Sequence, residues 1–168
     1  MTLLKNENLG CDEWSEMVDT MASSIRQGIS VGEFARLICK RDFVTGYVFQ
    51  TVPVAAYAWF VHHGDFSKAV RSVIGCGGDA DTTGAIIGAL AGATVGLSGI
   101  PPKWVEGVVD WPRGIDLCKR ISTELAAAAI SESSRPSIWY FRPAIIPRNL
   151  FFIFVVLYHG LRRLLPPY

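Results

Sequence analysis

Asp79 and Asp81 are the residues whose types and spacing are best suited to chemistry. They stand i, i+2 in Gly75-Cys76-Gly77-Gly78-Asp79-Ala80-Asp81-Thr82-Thr83-Gly84, with three glycines leading in and two hydroxyls following. Alternate residues of an extended segment point to the same side, so the two carboxylates can share a cation or flank a pair. Thr82 falls where a helix N-cap would stand and can add a hydroxyl oxygen. An all-oxygen set favours magnesium, manganese or calcium over zinc. The same carboxylates can instead cap the helix that follows, whose N-terminus favours negative charge by roughly 0.3–1 kcal/mol each. Spacing alone leaves cation binding and capping both open.

Three other patterns overlap this stretch. Gly75-x-Gly77-x-x-Ala80 imitates a dinucleotide fingerprint, but that motif needs a strand before it and the residues here read as a helix. Asp79-x-Asp81-x-Thr83-Gly84 imitates the start of a calcium loop, yet the position that needs a glutamate falls on Leu90. The Asp-x-Asp-x-Thr spacing also resembles the nucleophile motif of haloacid-dehalogenase-type phosphatases. A small phosphatase using Asp79 is therefore an alternative, and it requires a strand before the loop. His62-His63 is read as a solvated helix end, since consecutive side chains on a helix do not converge.

The elements that must position the loop are helical. Trp14, Met17, Val18, Met21 and Ile25 recur at three and four residues, which predicts a helix over Asp12–Gln27. Ser30-Val31-Gly32-Glu33 is a capping box opening a helix over Gly32–Lys40. Gly46-Tyr47-Val48 reads as a loop before a helix that starts at Thr51-Val52-Pro53, its proline in the first turn, and stops at His62-His63-Gly64. Asp65 caps a helix with Phe66, Ala69, Val70, Val73 and Ile74 on one face. After the glycine loop a helix runs from about Thr82 to Leu97, with glycine at 84, 88, 92 and 96, read as a central helix packed through those glycines. Gly99-Ile100-Pro101-Pro102 breaks the chain. A short helix at Lys103–Val109, a long one at Gly114–Ser131 and a last one at Asn149–Leu165 follow, with Ser131–Pro147 the one linker-like stretch.

No strand run or hairpin turn stands out, so the fold class is all-α. The length of 168 residues suits a single domain, 1–168, with a real core. A net charge of +1 with scattered Lys and Arg gives no nucleic-acid footprint. Cys11, Cys39, Cys76 and Cys118 form no CxxC pair and read as reduced structural thiols of a cytoplasmic protein. Residues 1–10 read as a frayed or linking start, and Met1–Glu7 has no secretory pattern. Leu150–Leu157 is shorter than the roughly 18 apolar residues of a span and reads as a buried core helix. The uncharged Thr82–Pro102 is rich in Gly, Ala, Thr and Ser, which gives little drive for insertion, so no membrane span is expected.

The run from Gly77 to Ala93, Gly77-Gly78-Asp79-Ala80-Asp81-Thr82-Thr83-Gly84-Ala85-Ile86-Ile87-Gly88-Ala89-Leu90-Ala91-Gly92-Ala93, resembles the C-terminal signature of the ADP-ribosylglycohydrolase family. So do Ile100-Pro101-Pro102-Lys103-Trp104, Gly46-Tyr47-Val48 and Thr51-Val52-Pro53-Val54-Ala55. The closing Arg148-Asn149-Leu150-Phe151 and Leu157 to Tyr168 look like the end of bacterial members. The resemblance implies an all-α helical bundle that uses two magnesium ions to cleave the glycosidic bond between ADP-ribose and an acceptor such as an arginine side chain. It implies Asp79, Asp81 and Thr82 as metal ligands, Gly77 and Gly78 as backbone open to the substrate, and Tyr47 near the nucleoside. A core role for Tyr47 is the alternative. ADP-ribose or an ADP-ribosylated protein would be the partner.

Members of that family also carry a threonine-aspartate-aspartate motif and a further acidic residue in their first half. This chain has no Asp-Asp pair, and Ala80 replaces the commoner threonine. The resemblance thus covers a C-terminal half, a bundle incomplete on its N-terminal side, and leaves the catalytic residue unassigned. Two readings follow: a hydrolase that needs an N-terminal half or self-association to complete its site, and a non-catalytic ADP-ribose-binding or interaction module.

Overall fold

The computed structural model describes residues 12–165, and every regular element in them is helical. Cys11, the start at residues 1–10 and the closing Pro166-Pro167-Tyr168 lie outside the described residues. The chain forms two compact units, Met1–Pro101 and Pro102–Tyr168, where the length predicts one domain. The division falls at the Gly99-Ile100-Pro101-Pro102 break and not in the linker-like stretch further on.

Five helices build the first unit: α1 (Asp12–Gln27), α2 (Val31–Cys39), α3 (Val48–Val61), α4 (Phe66–Ile74) and α5 (Ala80–Val95). The capping box forms as read: Glu33 N–H donates to Ser30 Oγ at 3.3 Å, and Ser30 N–H donates to Glu33 Oε2 at 2.8 Å. Asp65 caps α4 by accepting from Lys68 N–H at 3.0 Å. α3 starts earlier than the sequence suggests, so Pro53 sits in its second turn. Proline there cannot donate to Phe49, a loss of up to about 3 kcal/mol that burial of the helix must offset.

The central helix of this unit is α3, which packs against α1, α2, α4 and α5. It buries Thr51, Pro53, Val54, Ala55, Tyr57 and Ala58. The Tyr57 ring stacks on Phe34 with centroids 4.1 Å apart, and its hydroxyl lies 2.7 Å from the Ile29 carbonyl oxygen and 3.2 Å from that of Ser24. Burial pushes the Tyr57 phenol up, so it stays a donor. This anchors the α1–α2 turn to α3.

α5 corrects the expected central helix. It buries only Thr83, Ile87 and Ala91, an i, i+4, i+8 row on one face. Its glycines are not a tight seam either. A methyl group at Gly88 would meet nothing within 4 Å, and one at Gly84 or Gly92 would meet only ordinary van der Waals contact at 3.8 Å. Gly96 ends the helix at φ +66.

The second unit holds α6 (Pro102–Glu106), α7 (Ile115–Ser131), a 3-10 turn (Arg142–Ala144) and α8 (Ile145–Arg162). Ala144 is its one buried residue among those described. The buried core helix expected at Leu150–Leu157 is therefore corrected. No residue of α8 is buried, because the 3-10 turn before it is the element it packs on most. By length and composition alone, Arg142–Arg162 is long and apolar enough to cross a membrane.

Candidate functional site

The glycine loop is shaped by two φ-positive glycines and one backbone clasp. α4 ends with the Gly75, Cys76 and Gly77 N–H groups donating to the Arg71, Val73 and Ile74 carbonyls at 3.0, 3.0 and 3.1 Å. Gly77 at φ +67 and Gly78 at φ +75 then turn the chain against Val44. Asp79 N–H donates to the Val44 carbonyl at 2.8 Å, and Val44 N–H donates to that of Gly77 at 3.4 Å. A Cβ at Gly78 would fall 2.0 Å from the Val44 oxygen, so the close approach that needs glycine here is to the chain's own backbone. At Gly77 the space is open.

This clasp delivers Asp79 to the N-cap of α5, three residues before the predicted N-cap at Thr82. Its carbonyl accepts Thr83 N–H at 3.1 Å and the buried Thr83 hydroxyl at 2.7 Å. Its carboxylate makes no capping bond. Thr82, expected at the N-cap, stands instead within the first turn and is exposed. Capping therefore does not use the Asp79 side chain.

That side chain meets Asp81. The Asp79 carboxyl within hydrogen-bonding reach, then the Thr82 and Asp81 backbone N–H groups, hold Asp81 below the usual carboxylate range. Thr82 N–H donates to Asp81 Oδ1 at 3.0 Å. Asp79 also lies over Gly46, where a Cβ would come 3.0 Å from Asp79 Oδ2. Gly46 thus leaves room for the carboxylate, a contact between distant residues that local pattern does not reveal. The loop bearing Gly46 is held by Gln50, whose Oε1 accepts Thr45 N–H at 3.1 Å and the Thr45 hydroxyl at 2.5 Å.

Tyr47 adjoins Gly46 in the chain and is half exposed, its ring centroid 5.5 Å from that of Phe49. It is not a core tyrosine; Tyr57 fills that place. His63 packs edge-on against Trp59 at the end of α3, away from any cluster of ligating side chains among the described residues. Cys39 and Cys76 are buried free thiols, pushed up by burial, whereas Cys118 is exposed. The phosphatase alternative is corrected: it needs a strand before Asp79, and Phe66–Ile74 is α-helix.

Among the described residues no three His, Cys, Asp or Glu side chains gather to hold a metal ion. The donors that do meet, the Asp79 and Asp81 carboxyls at a helix start, are oxygen ligands of the kind a hard cation that keeps several waters accepts. They do not make a closed cage.

A sequence-family model described as ADP-ribosylglycohydrolase matches residues 2–134. The chain is 36% identical over 87 residues to the ADP-ribosylarginine hydrolase Tri1 of Pseudomonas putida (strain GB-1), covering 52% of this chain and 23% of that protein. It is 39% identical over 62 residues to the ADP-ribosyl-[dinitrogen reductase] glycohydrolase of Rhodospirillum rubrum, covering 37% of this chain and 21% of that one. The chain thus spans about a quarter or less of the curated relatives it matches. No solved structure matches it.

Proposed function

That the chain belongs to the ADP-ribosylglycohydrolase family is the premise from which we propose that it forms one side of a site for cleaving the glycosidic bond between ADP-ribose and a protein side chain. The Asp79–Asp81 pair carries this reading: two carboxylates side by side on a glycine loop, with the Asp79 side chain unused by its own helix. The relative named for action on ADP-ribosylarginine supports an arginine-type acceptor, and the one named for ADP-ribosyl-[dinitrogen reductase] supports a protein substrate.

In this proposal Asp79, Asp81 and Thr82 hold magnesium, which when bound would orient ribose hydroxyls and make a water more acidic. The chain's own residues do the positioning. The Val44–Asp79 clasp fixes the loop, Gly46 makes space for the Asp79 carboxylate, and hydrogen bonds from the Asp79 side chain and the Thr82 backbone hold the Asp81 carboxyl below its usual range. Gly77 leaves open space for a substrate group, Gly78 sets the turn, and the half-exposed Tyr47 ring offers a surface to a nucleoside. Two ions, as the family resemblance implies, need more oxygen ligands than this loop supplies. We assign the remainder to polypeptide beyond these residues, an N-terminal half or a second copy.

A second reading, a non-catalytic ADP-ribose-binding module, is favoured by one observation: no third carboxylate joins the pair among the described residues. Isothermal titration with magnesium and with ADP-ribose separates these. Both ligands should bind the unmodified chain, and Asp79→Ala should weaken magnesium by about tenfold or more, in the range seen when metal sites lose supporting groups. Binding of ADP-ribose unaffected by magnesium or by Asp79→Ala supports the binding module. If neither ligand binds and the substitution alters stability alone, the metal site is wrong.

A further inference from the structure

Charge is sorted along this chain. Arg135, Arg142, Arg148, Arg162 and Arg163 are the only Asp, Glu, Lys or Arg residues after Ser134, so with a total of +1 these five leave residues 1–134 at −4. The family match ends where the basic part begins. Arg135 pairs with Glu124 at 3.8 Å, and Arg148 pairs with Asp110. Arg142, Arg162 and Arg163 have no carboxylate partner among the described residues.

The same segment is exposed and aromatic. Trp139, Phe141, Phe151, Phe152, Phe154 and Tyr158 are each more than half exposed, and α8 buries no residue. At about 100° per residue, Arg148, His159 and Arg162 (i, i+11, i+14) return to within roughly 40° of one helix side. Phe152 and Val155 stand among these basic groups and Asn149 and Gly160 at the flank, whereas Leu150, Phe154, Leu157 and Leu161 form an unbroken apolar stripe opposite. From Arg148 to Arg162 the helix rises only about 20 Å, short of the roughly 30 Å hydrocarbon layer. Its polar groups therefore suit a helix lying in a membrane surface better than one crossing it.

We infer that residues 135–165 dock on the surface of an anionic lipid bilayer, with the apolar side of α8 in the acyl boundary and its arginines at the headgroups. A second copy packed through the same segment is a poorer occupant, because arginines with no acid among them would meet their own charge.

Co-sedimentation of the full chain with vesicles tests this. Phosphatidylcholine vesicles containing phosphatidylglycerol should retain the chain, pure phosphatidylcholine vesicles should retain far less, and raising the salt should release it. Arg162→Gln with Arg163→Gln should weaken anionic-vesicle binding by about 30-fold, at roughly fivefold per arginine. Phe154→Ser with Leu157→Ser, on the side opposite the arginines, should weaken it as well, with the helical circular dichroism of the chain kept in both variants. Equal retention on both vesicle types, or no retention on either, overturns the inference. So does concentration-dependent dimerisation in sedimentation velocity that Phe154→Ser with Leu157→Ser abolishes while vesicles leave the chain in solution, for α8 would then serve a second copy.

Discussion

α4 and α7 carry similar apolar spacing in the sequence, yet α4 buries Ala69, Val70 and Val73 while α7 buries nothing. The same contrast holds between their units. The first unit owns the core, with Phe34, Val54, Tyr57 and Ile87 fully enclosed, and among the described residues of the second only Ala144 is buried. Periodicity is a property of one helix and tells how it would be buried. Burial needs a second surface, and only the first unit supplies one. If that is right, Phe34→Ala should cost about 3–5 kcal/mol in urea unfolding, since it opens a cavity against Tyr57. Phe152→Ala, at 59% exposed, should stay within about 0.5 kcal/mol. Equal costs would break the comparison and mean that α8 has a covering surface in solution.

Glycines sharpen the contrast inside the first unit. Gly78→Ala places a methyl group on the Val44 carbonyl at φ +75, and strain plus overpacking should cost about 2–4 kcal/mol. Gly88→Ala fills open space on a helix, where alanine is preferred by about 0.5–1 kcal/mol, so that variant should melt higher. Chemical denaturation of the two variants decides it. A destabilised Gly88→Ala would show that the glycine row is a packed seam after all, as its spacing suggests.

These glycines also mark how far the sequence could be read. α1, α4 and the long α7 are legible because caps and apolar spacing are local: Asp65, the Ser30–Glu33 box and Gly28 act within a few residues. The start of α3 was not, because Val48 to Gln50 carry no cap signal and Tyr47 caps without a side-chain bond. At the candidate site the aspartate pair was visible as spacing. The clasp to Val44 and the room at Gly46 were not, because both join residues more than thirty positions apart. The exposure of α8 was hidden for the same reason: no residue in Leu150–Leu157 states whether a neighbour exists.

Caps extend the comparison to pH, with the smallest expected effect. α2 and α4 in the first unit are capped by side chains, while α3 and α5 beside them, and α7 and α8 in the second unit, have no side-chain capping bond. The Lys68 backbone N–H, then the Lys68 side chain, hold Asp65 below its usual value of 3.8. A carboxyl lowered by folding stabilises the folded state above its unfolded value, and that contribution is lost as pH falls through the folded one. Acid below about pH 4 should therefore weaken the first unit in part through Asp65. Asp65→Asn keeps a capping oxygen but cannot titrate. Its melting temperature should fall less between pH 6 and pH 3 than that of the unmodified chain, with both followed by circular dichroism. An equal fall in the two proteins would mean that the Asp65 charge adds nothing beyond the hydrogen bond, and that the cap serves the first unit by geometry alone.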